Sequence, residues 1–212
     1  FRQVLLTSPS GVQGIILRGI DPTREGTVTE LAHNLVNGAL GDLAHQNKVV
    51  IPEKEREPNG PDTAMRPGII LGKELSMRLS AFPGDTLNVV SPVGPVTGAS
   101  MTPKIRQFVV VGIFHSGMYE YDSSLAYIEL GEAQKFFNMG ASVTGIEVKV
   151  TDVFRAADIA RTIEHHLGFA FWARDWMQMN RNLFSALKLE KTMMFLLLVL
   201  ITIVASFNIV ST

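Results

Sequence analysis

The sequence predicts an α+β domain of mixed strands and helices followed by a transmembrane helix, and three observations carry that prediction. Short apolar stretches of strand character alternate with turn residues and short amphipathic helices. One run, MMFLLLVLITIVASFNIV over residues 193–210, holds 18 residues without a formal charge. The 212 residues suffice for one or two domains with a proper core, yet include no cysteine, so no disulfide framework, thiolate metal site or cysteine nucleophile is available.

The elements follow in order. FRQVLLTSPSGVQGIILRGI reads as two strands, residues 4–6 and 14–17, around a Ser-Pro-Ser-Gly turn, and Asp21-Pro22 ends the second. Leu31, Leu35 and Ala39 have helical spacing, which predicts a helix over 27–43 that Gly38 and Gly41 weaken at its end. Residues 52–68, PEKEREPNGPDTAMRPG, mix charge with proline and glycine and read as a solvated surface loop. A pattern then occurs twice. IILGKELSMRL and LAYIELGEAQKFF each run from an apolar strand through a glycine into an acid-containing amphipathic helix, which suggests repeated α/β packing.

Between them, TLNVV (86–90) and RQFVVVGIF (106–114) read as strands joined by an uncharged, proline-punctuated stretch, SPVGPVTGASMTP. GIEVKV (145–150) alternates as a strand should. Asp152 can cap a helix with Val153, Ala157, Ala160, Ile163 and Leu167 on one face, and FAFWA (169–173) reads as the last strand. From Trp176 the chain reads helical without interruption into the apolar run, which at roughly 27 Å nearly matches the ~30 Å hydrocarbon core of a bilayer. A buried core helix is the alternative, but nothing else here is apolar enough to surround one. The two tryptophans, Trp172 and Trp176, lie too far before the run to form its interfacial belt and are expected to pack in the preceding domain. The organisation read is therefore a domain over 1–180 and a helical stalk and membrane helix over 181–212.

Lysine plus arginine (19) nearly balance aspartate plus glutamate (20), which disfavours nucleic acid as a partner. Neither GxxxxGK[ST] nor GxGxxG is present, so nucleotide binding by those routes is not expected and no cofactor is assigned. Glu164, His165 and His166 are the densest titratable group, but adjacent helical residues diverge and no two-turn ligand spacing exists, so they read as surface residues. Asp122, Ser123 and Ser124 read as a turn. With no convergent acid, base or nucleophile, no enzymatic activity is expected.

Residues 187–210, LKLEKTMMFLLLVLITIVASFNIV, resemble the second transmembrane segment of Lol-type lipoprotein-releasing permeases, the LolC/LolE family. RGIDP (18–22), MGASVTGIEVKVTDVFRA (139–156, closer to the LolE pattern) and the order of elements between them are similar too, so the resemblance covers nearly the whole chain. It implies a MacB-like periplasmic domain between the first and second membrane helices of an ABC transporter permease in the bacterial inner membrane, the first helix preceding Phe1. The implied partners are a LolD-like cytoplasmic ATPase and a second permease subunit, of LolC/LolE type or a second copy of the same chain. Triacylated lipoprotein, membrane lipid and the periplasmic carrier LolA complete the set.

By position, the family's carrier-binding hook falls on residues 92–103, with Pro92, Val93, Pro95, Val96, Met101 and Pro103, and a supporting basic position on Arg106. A second basic position of the LolC pattern falls on Asn88. Prolines reduce the entropy lost when a loop docks, and valine and methionine offer apolar contact, Met101 being the preferred anchor. An ordinary hairpin loop is the alternative. The resemblance also places Met193, Met194 and Leu197 in the wall of a lipid cavity, against plain helix packing or lipid exposure. Arg181, Lys188 and Lys191 precede the helix, and charge bias alone would put that end in the cytoplasm, opposite to the family orientation. Two other functions fit the architecture: a MacB-like efflux permease, and an extracytoplasmic signalling or scaffold permease homologue.

Overall fold

The computed structural model describes residues 1–50, 63–92, 96–97, 100–101 and 103–211. It divides into two compact units, residues 1–149 and 150–212.

Among the described residues the first unit has ten strands: β1 (Arg2–Ser8), β2 (Gly11–Ile20), β3 (Leu35–Asn37), β4 (Gln46–Val50), β5 (Thr63–Gly72), β6 (Thr86–Ser91), β7 (Val96–Thr97), β8 (Ser100–Met101), β9 (Lys104–Phe114) and β10 (Leu125–Glu129). Four helices join them: α1 (Pro22–Val28), α2 (Lys73–Leu79), α3 (Tyr119–Ser124) and α4 (Leu130–Phe137). The main sheet runs β3-β9-β6-β1-β2-β10-β5-β4, and β9 also pairs with β5. That extra pairing closes β9, β6, β1, β2, β10 and β5 into a six-stranded barrel, with β3 and β4 flanking it. Each barrel strand contributes two alternate residues to one core: Val4 and Leu6, Ile15 and Leu17, Ile69 and Leu71, Leu87 and Val89, Phe108 and Val110, Ala126 and Ile128. Period-two side-chain alternation sends these twelve to one face. Leu75 and Leu79 of α2 and Ala133 and Phe136 of α4 join the same core.

A second core lies on the opposite strand faces, where Ile70, Phe114, Leu125 and Tyr127 meet Ile20, Leu31, Leu40 and Leu43. Burial on both faces explains why residues 69–71 and 125–128 read as unbroken apolar runs rather than alternating ones. The two strand-to-helix repeats are both present, as β5-α2 and β10-α4. Each helix ends on a residue in the left-handed conformation, Ser80 at φ 48° and Asn138 at φ 54°. α4 lies so close to β2 that a Cβ on Gly19 would fall 2.4 Å from that of Ala133.

The helix expected over 27–43 is not there. Asp21 caps an earlier one, accepting from the Thr23 N–H at 3.0 Å, with Pro22 at the first helical position, where a missing N–H costs nothing. Residues 35–37 instead pair with β9, and the leucines beyond them cover the second core. Of the loop expected over 52–68, residues 52–62 lie outside the described residues, and 63–68 are not loop but the start of β5, with 63–67 paired to β4.

GIEVKV forms no strand. Residues 145–150 lack a ladder and are held by side chains, Glu147 on Arg18 and Lys149 on Glu30, while Ile146 stays 85% exposed. Alternation measures the sidedness of a segment, and a strand additionally needs a partner edge.

In the second unit, Asp152 caps a single 3-10 turn, Val153–Arg155, that leads into α5 (Ala156–Leu167). Of the expected apolar face only Ala160 is buried. FAFWA is not a strand; Phe171 N–H closes a turn on the Gly168 carbonyl at 3.2 Å, and Ala173 N–H donates to Glu164. His165 and His166 are exposed. Trp172 is exposed too, against the expected packing, while Trp176 donates to the Val153 carbonyl and meets Phe184 edge-on at 5.3 Å. The helix expected to run unbroken from Trp176 is two helices, α6 (Trp176–Met179) and α7 (Arg181–Ser211), divided at Asn180 (φ −104°, ψ 29°).

Residues 181–209 of α7 are long and apolar enough to cross a membrane. Within it the hydroxyls of Thr192, Thr202 and Ser206 donate to carbonyls four residues back at 2.8 to 2.9 Å. That satisfies them without water, as a hydrocarbon environment requires.

Candidate functional site

The uncharged stretch emerges from an antiparallel pair. β6 and β9 pair from Thr86 with Val109 up to Ser91 with Lys104. Pro92 and Pro103 stand exposed immediately beyond that last pair, and proline has no N–H with which to prolong a ladder. Past them β7 and β8 form a separate two-stranded hairpin, Val96 opposite Met101 and Thr97 opposite Ser100. Of the sequence-derived contact residues, Pro92, Val96, Met101, Pro103 and Arg106 fall in the backbone of this hairpin and its root. Val93 and Pro95 lie outside the described residues.

At the root, Lys104 and Arg106 continue the inward row of β9 that Phe108 and Val110 occupy deeper in the barrel, and both reach α4. Glu129 caps that helix, accepting from the Glu132 N–H at 2.8 Å. Glu132, in the first turn, is buried; its carboxylate contacts the Arg106 guanidinium and the Lys135 ammonium, the latter at 3.0 Å. Lys104 donates from Nζ to the Lys135 carbonyl at 3.0 Å and to Asn138 Oδ1 at 3.1 Å, lying 5.7 Å over the Phe136 ring. Arg106 itself lies 5.8 Å from the Phe108 ring centre.

Arg106 is thus a brace between strand and helix rather than a freely offered cation. Asn88 pairs with Gln107, so it and Arg106 lie on opposite faces of the β6–β9 ribbon and do not converge. Glu132, Lys104 and Lys135 were not singled out from sequence. The available signals were an i, i+3 acid–base pair in GEAQKFF and two cations at strand spacing in KIR.

A second polar cluster sits at the far end of β9. Asp122 is buried in α3 and accepts from Ser116 N–H at 2.8 Å, Ser116 Oγ at 2.7 Å and His115 Nδ1 at 2.7 Å. Burial alone would push its carboxyl up, but the Ser116 and His115 hydrogen bonds outweigh burial and hold it below the ordinary value. The residues read as a turn are helical, and Asp122 has a histidine partner that the sequence did not suggest. The serine hydroxyl is committed to the carboxylate, not to the imidazole, so the cluster lacks the serine–histidine bond of an activated nucleophile. It ties β9 to α3.

In α7, Met193 and Leu197 share a face one turn apart, Met194 sits beside it, and all three are at least half exposed.

No family model matches the chain. Curated relatives do. The lipoprotein-releasing system transmembrane protein LolC of Neisseria meningitidis is 36% identical over 210 residues, 99% of this chain and 46% of the relative. The protein of the same name from Xylella fastidiosa is 35% identical over 199 residues, 94% of this chain and 43% of the relative. The corresponding LolE of Haemophilus influenzae is 28% identical over 148 residues, 68% of this chain. Spanning just under half the length of the two LolC relatives, the chain belongs to the LolC/LolE family of lipoprotein-releasing transmembrane proteins.

Proposed function

We propose that this chain is part of an ABC transporter permease that extracts triacylated lipoproteins from the bacterial inner membrane and passes them to the periplasmic carrier LolA. In this reading residues 1–180 lie in the periplasm and α7 spans the membrane. A separate LolD-like subunit hydrolyses ATP, so this stretch is a transport component and not an enzyme, and a second permease subunit completes the pathway. Acyl chains pass Met193, Met194 and Leu197. Burial at about 0.8 kcal/mol per methylene holds a lipid in place strongly enough to require coupled energy.

The observation that supports the reading best is the hairpin β7–β8, set beyond a proline at each side at the end of the β6–β9 ribbon. An uncharged hairpin can dock without leaving a buried charge unpaired. The full-length permease in its complex with the ATPase, titrated with LolA, tests this. Met101→Asp is expected to weaken binding at least a few-fold, and unchanged affinity overturns the docking assignment.

A further inference from the structure

The hairpin springs from a ribbon that is poorly supported on one side. β6 is backed by β1 at residues 88–90, but β5 reaches β9 only from Val109 onward. Over residues 104–108, β9 therefore has β6 as its backbone partner and, among the described residues, no second strand. An isolated two-stranded ribbon is marginally stable. What covers this part of β9 is α4, gripped by two cations two residues apart on the strand. Arg106 meets Glu132 in the first turn of the helix, and Lys104 bonds the last turn through the Lys135 carbonyl and Asn138. Phe108 and Phe136 close the contact edge to face, their centres 6.4 Å apart.

Glu132 is a costly choice for such a place. Its side chain is only 8% exposed, beside Arg106 and Lys135. A buried ion pair is commonly no more stable than apolar residues of the same volume, while removing one partner leaves a buried charge uncompensated, which ties the two elements to each other. We propose that Glu132 is a positioning residue for the hairpin: through Arg106 it fixes the hairpin root against α4, so that the root is presented to the carrier in one orientation. The inference rests on the docking reading above and goes beyond it, since Glu132 itself need not touch the carrier.

The test uses the full-length permease in its complex, with any cysteines outside this stretch replaced. This stretch has none. Spin labels on Thr97→Cys in the hairpin and Ala141→Cys just beyond α4 report the spread of distances between hairpin and helix. Glu132→Gln is expected to broaden that spread and to weaken LolA binding about tenfold, within the range of coupling between linked sites. The double variant Arg106→Met with Glu132→Met removes the charges together and keeps volume, so it stays folded while showing the same two changes. In a folded variant, an unaltered spread or an unaltered affinity overturns the proposal. Excising the hairpin separates the two claims: if LolA still binds without it, the docking reading falls, while the label distances still decide whether Glu132 holds the root.

Discussion

Between β9 and α3, Asp122 accepts three hydrogen bonds from two residues six and seven positions upstream, and none of them is visible as a motif. His115 and Asp122 meet because β9 ends beneath α3, a contact fixed by tertiary structure rather than by local spacing. Arg106 shows the converse, since its position beside the hairpin was legible but its partner was not. Glu132 lies 26 positions later, on a helix whose docking onto β9 no local pattern encodes. The Asp122 carboxyl is held below its ordinary value, so its stabilising bonds are fully present above the unfolded value near about 3.9 and are lost as pH falls through the lower folded value. Asp122→Asn is expected to cost about 1 to 3 kcal/mol at neutral pH, by leaving His115 and Ser116 poorly matched. The gap between variant and parent should shrink as the pH is lowered below the carboxylate range. Thermal unfolding across that range checks it; a gap that stays constant with pH would show that the carboxylate charge contributes nothing.

The elements that the sequence revealed best are those buried on both faces. β5 and β10 appear as unbroken apolar runs because one row enters the barrel and the other enters the second core. Those misread had the right periodicity and lacked a partner. Residues 145–150 alternate cleanly but pair with nothing as a ladder, and residues 169–173 are aromatic but turn back on Gly168. The stretch that holds the hairpin was legible as a connection between two strands because its prolines and lack of charge set it apart from them. Its separateness makes a prediction. Ser91 and Lys104 are already paired across the ribbon, so replacing residues 92–103 by Asn-Gly joins them through a two-residue turn that suits a twisted antiparallel pair. The barrel should fold with nearly unchanged thermal stability, as judged by circular dichroism, while LolA binding is lost. Collapse of the barrel would mean that the insertion belongs to the core. Gly19→Leu should do the opposite. Its side chain would meet Ala133 and displace α4 from β2, costing about 1 to 3 kcal/mol through overpacking.

At the scale of the whole molecule, the α+β class and the apolar helix were legible, and the closed barrel was not. Closure depends on β1 with β6 and β5 with β9, pairings between segments tens of residues apart that local periodicity cannot specify. Composition does separate two solvents, however. Residues 1–149 bury two apolar cores of their own, whereas the apolar side chains of α7 are exposed along the helix and must be covered by lipid or by other membrane helices. The charges before α7 and the proposed function point to opposite sides of the membrane for the barrel. Arg181, Lys188 and Lys191 lie on the N-terminal side of the apolar run, and positive charge near a span favours the cytoplasm. The proposed function requires the periplasm. Such charges bias orientation mainly through the summed balance over all spans, so three of them upstream of a single helix need not prevail in a longer polytopic protein. The periplasmic assignment predicts that Ser142→Cys, exposed on the first unit and introduced into the full-length protein with any cysteines outside this stretch replaced, reacts with a membrane-impermeant maleimide in cells whose outer membrane alone is opened. Labelling that appears only after the inner membrane is breached would place the barrel in the cytoplasm, out of reach of a periplasmic carrier, and the proposed transfer step would fall with it.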